Sequence, residues 1–132
     1  MAYDWELIER LLHEAQNSAN DSFKPRVYAE ELASDRLAAG QPIGGSVDHL
    51  KQVAGDLEGV LYEGGFIEER PEELGGGANN YILTARGSRL LSLIGSSFPE
   101  SVAFRRLLDE QGEVVLSDGS IFDRIADNAA RA

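Results

Sequence analysis

Only two imidazoles, His13 and His49, and no thiol stand in a chain of 132 residues, so the side chains that do most metal and nucleophilic chemistry are scarce. A helical zinc site needs two histidines four positions apart on one face, with a carboxylate beside them. His13 is followed by Glu14 but has no such partner, and neither has His49. Gly40, Gly45 and Ser46 repeat the outer glycines and the hydroxyl of a phosphate-cradling loop. Such a loop works through a lysine that meets the phosphate charge. Here the lysine is missing and Val47 follows Ser46, so the glycines read as turn residues. The 23 carboxylates fall on solvent faces, with no pair set apart by apolar sequence that would drive two pKa values in opposite directions. No catalytic residue, metal or cofactor is implied, and the chain reads as non-enzymatic.

Binding chemistry is better represented. Ser46, His49, Lys51 and Gln52 stand close together: glutamine can read adenine, lysine can pair with phosphate, and serine and histidine can reach either. Arg70, Arg86 and Arg89 are further cations that could meet a nucleic-acid backbone. The distribution of charge is uneven. From Ser46 to Glu73 eight acids face two bases, a net of −6, whereas from Ala78 to Leu108 four arginines (86, 89, 105 and 106) face Glu100 alone, a net of +3. Against a whole-chain charge of −11, long-range attraction to phosphate or anionic lipid is opposed, and any nucleic-acid contact must be local.

These residues must be placed by helices and one hairpin. Trp5, Ile8, Leu11, Leu12 and Ala15 recur at helical spacing over Tyr3–Gln16. Pro25 opens a second helix that runs to Ala39 with a weak apolar stripe. Ser46 caps a third helix reaching about Glu63, whose stripe of Leu50, Val53, Ala54, Leu57, Val60 and Leu61 is the clearest in the chain. Gly64 and Gly65 stop it, and Phe66–Arg70 and Tyr81–Thr84 read as two strands of a hairpin around a glycine-rich loop. Arg86–Ile94 is a fourth helix. Ser97 and Glu100 form a capping box, with Pro99 in the first turn, ahead of a fifth helix bearing Val102, Phe104, Leu107 and Leu108 and ending at Gly112. Glu113–Leu116 is a short β-branched run, and Phe122, Ile125 and Ala129 trace a last amphipathic helix. The fold class expected is mainly α with a small β-hairpin. The acidic start, the absence of any apolar run long enough to span a bilayer and the lack of cysteine predict a cytoplasmic chain without membrane contact.

The order helix, helix, helix, hairpin, helix resembles the winged helix-turn-helix superfamily. Leu61, Tyr62, Glu63, Gly64, Gly65, Phe66 and Ile67 look like the junction at which its recognition helix gives way to the wing, and Leu83, Thr84, Ala85, Arg86 and Gly87 look like the exit from the wing. The opening Tyr3, Asp4, Trp5, Glu6, Leu7 and Ile8 is similar to a narrower bacterial and prophage family of unknown function. The likeness covers residues 3–95 and implies a winged-helix domain over 1–96 with a helical extension over 97–132. It further implies a DNA-binding transcription regulator whose third helix, with Ser46, His49, Lys51 and Gln52, enters the major groove of double-stranded DNA. The acidic third helix and wing support an alternative, a phage or bacterial protein-interaction module for a partner with a basic surface. Phe104, Leu107, Leu108, Phe122 and Ile125 exceed what a minimal winged helix buries and predict a homodimer. Two departures from the superfamily stand out: the turn from Gly40 to Gly45 is long, and Gly55 and Gly59 lie inside the third helix, where close packing against a neighbour would account for them.

Overall fold

A computed structural model describes residues 4–17, 24–43, 46–69, 81–95, 99–111 and 114–131. Helices α1 (Trp5–Asn17), α2 (Pro25–Ala38) and α3 (Val47–Glu63) precede an antiparallel pair, β1 (Ile67–Glu69) and β2 (Tyr81–Leu83). Helices α4 (Ala85–Ile94), α5 (Pro99–Glu110), α6 (Val114–Ser117) and α7 (Gly119–Arg131) follow. The chain is thus mainly helical with one small hairpin, as its periodicities predict.

Each helix forms for a local reason and is held by what it buries. The Asp4 carboxylate accepts the backbone N–H of Leu7 at 3.1 Å and so fills an orphan donor at the start of α1, whose Leu7, Ile8, Leu11 and Leu12 are fully buried. Pro25 starts α2 with a preset φ. The weak stripe of α2 has a physical cause. Its buried face is Tyr28, Ala29, Leu32, Ala33 and Arg36, and a hydropathy pattern does not register an arginine as core. Arg36 is 9% exposed because its guanidinium binds Asp4 at 2.9 Å and the Ile43 carbonyl at 2.8 Å. That pairing is what makes its burial tolerable.

Ser46 caps α3 by accepting the N–H of His49 at 3.0 Å, and Leu50, Ala54, Leu57 and Leu61 form the buried face. The helix ends in a Schellman arrangement: Phe66 N–H donates to the Leu61 carbonyl at 2.9 Å and Gly65 N–H to the Tyr62 carbonyl at 3.1 Å. Gly65 has φ +77°, the left-handed conformation that such an ending requires. The chain passes directly into β1, which pairs with β2 in the register Ile67–Leu83, Glu68–Ile82 and Glu69–Tyr81. Thr84 then closes the hairpin and opens α4: its hydroxyl donates to the Gly65 carbonyl at 2.6 Å and accepts the N–H of Gly87 at 3.0 Å.

The C-terminal helices enter the same core. Phe122 of α7 sits edge-on to Phe66, with centroids 5.1 Å apart, and to Phe104 of α5, at 6.3 Å. The Trp5 indole N–H donates to the Asp109 carboxylate at 3.1 Å, tying α1 to α5. One run without an assigned element is placed here, and one expectation is corrected. The β-branched run before Ser117 is the helical turn α6, because Val115 and Leu116 both bury fully. Adjacent residues of a strand point to opposite faces, whereas one helical turn directs both inward. Close packing does not account for the glycines of α3. A Cβ at Gly59 would meet nothing within 4 Å, and one at Gly55 would meet only the Arg26 side chain at 3.8 Å.

Candidate functional site

Ser46, His49, Lys51 and Gln52 fall at the start of α3, and Arg86 and Arg89 on α4. Ser46, His49 and Gln52 are exposed at the N-terminal half of α3, together with Asp48. The Ser46 oxygen is already engaged as the helix cap. Lys51 lies to the side and pairs with Glu30 of α2 at 2.8 Å, so its charge is committed across the α2–α3 seam. Arg70 lies outside the described residues.

The arginines that make the segment after Ala78 positive are largely neutralised in space. Arg86 holds Asp123, Arg89 meets Asp127 at 2.8 Å, and Arg105 meets Glu9 at 3.5 Å while also donating to the Ile94 carbonyl. Three of the four cations therefore face carboxylates of α7 or α1. The net of +3 read along the chain is a property of one segment and not of one surface. Arg86 is also held by structure: its third nitrogen donates to the Gly64 carbonyl at 2.7 Å, and the hydrogen bond to Asp123 raises its already high pKa.

At the other end of α3 the surface is acidic and aromatic. Tyr62, 48% exposed, meets the ring of Tyr81 edge-on at 6.0 Å. The Tyr81 phenol is pushed up to about 12, first by burial, then by the charge of Glu58 and a hydrogen bond to it, and then by Glu69 across the strand pair. Exposed Asp56, Glu63 and Glu68 extend the same negative field. The sequence reading placed acids here but missed the tyrosine pair, since positions 62 and 81 meet only once β1 and β2 are in register. The strand alternation around Tyr81 was the one available signal.

Of the residues expected to make a dimer, Phe104, Leu108 and Phe122 are consumed by the chain's own core, at 6%, 0% and 0% exposure. A side chain covered that fully has nothing left to offer a second copy. Leu107 and Ile125 remain half-buried at the surface between α5 and α7. Among the described residues no group of His, Asp or Glu is arranged to hold a metal ion, and no helix is long and apolar enough to cross a membrane. No family model, no curated protein and no solved structure matches this chain.

Proposed function

We propose that the chain is a non-catalytic winged-helix recognition module that uses the outer face of α3 and its hairpin to hold a basic segment of a protein partner, within a bacterial or phage complex. The observation that carries this reading is the meeting of Tyr62, Tyr81, Glu58 and Glu69 at the end of α3, beside a protein whose nearby arginines are already paired. An aromatic edge flanked by carboxylates offers a lysine or arginine both charge pairing and a cation–π contact, worth about 0.5–1 kcal/mol at an exposed site. Complementary fields of this kind set partner choice and encounter rate more than raw affinity.

A second reading, a winged-helix transcription regulator on double-stranded DNA, is favoured by one observation. Ser46, His49 and Gln52 are exposed along the N-terminal half of α3, where such a helix would enter the major groove. The two readings separate in one titration of the full chain against a 15-to-20-residue Arg/Lys-rich peptide and a 20-base-pair duplex, each at about 50 and about 200 mM salt. The interaction-module reading expects peptide binding that Glu58→Gln and Glu69→Gln together weaken severalfold, that Glu100→Gln leaves in place, and no duplex binding at the lower salt. Duplex binding that falls steeply with salt, with the peptide unbound, overturns it in favour of the DNA reading.

A further inference from the structure

We infer that the groove between α5 and α7 is the contact through which two copies of this chain pair. The inference is independent of what α3 recognises. The groove has a volume of about 500 Å³, and its floor is Leu107, Ile121, Ile125 and Ala129, with Arg124 and Asn128 at the rim. These apolar side chains are only half-buried, although α5 and α7 already supply Phe104, Leu108, Phe122 and Ala126 to the core. They pack against the core on one side and line the groove on the other.

Spacing and size point to a second copy as the occupant. Ile121, Ile125 and Ala129 stand four residues apart and form one ridge along α7. When two α7 helices meet antiparallel about a two-fold axis at Ile125, Ile121 lies against the partner's Ala129 and Ala129 against the partner's Ile121. Large then faces small on both sides, as an isologous contact requires. Charge points the same way. Arg10, Arg36, Arg86, Arg89 and Arg105 are each engaged by carboxylates of their own chain. Arg124 at the groove rim is exposed and has no carboxylate partner among the described residues. An occupant that brings negative charge beside the apolar ridge complements Arg124, and the exposed Glu110 of α5 in a second copy meets that need.

Area sets the strength. Helices of 12 and 13 residues are about 18–20 Å long and each about 10 Å across, so the two side by side present a face of roughly 400 Å² per copy. A standard stable interface buries about 800 Å² on each partner. The pairing is therefore weak and concentration-dependent, with a dissociation constant on the order of 10–100 µM. Sedimentation equilibrium of the full chain from roughly 5 µM to roughly 1 mM should show the mass rising from 14.4 kDa towards twice that value. Ile125→Asp should hold the chain at the monomer mass across that range. Arg124 is exposed and outside the core, and Arg124→Glu should weaken pairing by roughly tenfold; circular dichroism of both variants checks that the fold is kept. A wild-type chain that stays monomeric to roughly 1 mM overturns the inference and leaves the groove to a different protein. So does a dimer that neither variant weakens, since its contact then lies elsewhere.

Discussion

Arg86 grips Asp123 through Nε at 3.1 Å and Nη2 at 2.6 Å while its remaining nitrogen reaches the Gly64 carbonyl at 2.7 Å. One side chain at the start of α4 thus joins the end of α3 to α7, and a charge that sequence offers to nucleic acid is spent on holding three elements together. Loss of the pair alone costs little at this exposure, about 0–1 kcal/mol, and the orphaned carbonyl adds about 1 kcal/mol. Arg86→Ala should therefore lower stability by about 1–2 kcal/mol, read as a lower urea midpoint at unchanged slope. Arg86→Lys, which keeps the charge but not the planar fork, should fall between. A wild-type midpoint for Arg86→Ala would show that the grip carries no stability.

Two glycines predict opposite signs for one substitution. A Cβ at Gly59 meets open space, so Gly59→Ala should stabilise α3 by about 0.5–1 kcal/mol and raise the thermal midpoint. At Gly119 a Cβ would run into the Gly64 carbonyl oxygen and the Arg86 guanidinium, and Gly119→Ala should cost about 1–3 kcal/mol. Midpoints that move in the same direction would contradict the packing described for the α3–α7 seam.

The two hydroxyl caps should differ in weight. Ser46→Ala removes one bond to a helix N-terminus and should cost about 1 kcal/mol. Thr84→Ala removes the equivalent bond and the one to the Gly65 carbonyl, for about 2 kcal/mol. Equal losses in chemical denaturation would mean that the Thr84 bond to the hairpin entry contributes nothing.

Tyr81 makes stability fall at alkaline pH. Its folded pKa of about 12 lies above the unfolded value of about 10, so the folded chain holds the phenol proton more tightly. The contribution is fully present below about pH 10 and is lost as pH climbs through about 12. The wild-type unfolding midpoint should drop more steeply across that window than that of Tyr81→Phe. Glu58→Gln should bring the phenolate transition down towards 10, seen in the absorbance difference between otherwise identical chains with and without Tyr81. A transition that Glu58→Gln leaves in place would remove Glu58 as a cause.

What could be read from the chain alone was local. The stripes of α1 and α3, the Ser46 cap, the double-glycine ending of α3 and the hairpin after it all lie within a few residues of their causes. What could not be read was the pairing of groups far apart in sequence. Arg86 and Asp123 are 37 positions apart and Arg105 and Glu9 are 96, and no pattern along the chain announces that they cancel. The helical turn α6 was hidden for the same reason, since β-branched Val115 follows its tertiary burial and not its propensity. The tyrosine pair and the exhaustion of Phe104, Leu108 and Phe122 within the core likewise appear only in three dimensions.

Phe122 sits between Phe66 and Phe104 like a keystone, which bears on how this protein can be cut. Phe66 follows directly on the Gly64–Gly65 ending of α3, so the ring that anchors the hairpin entry rests on an aromatic contributed by the last helix. Trimming the chain after Ile94 strips that support and uncovers the Phe66 ring to water. The fragment left behind is no miniature of the parent, and its behaviour reports on a wound in the core before it reports on recognition by α3.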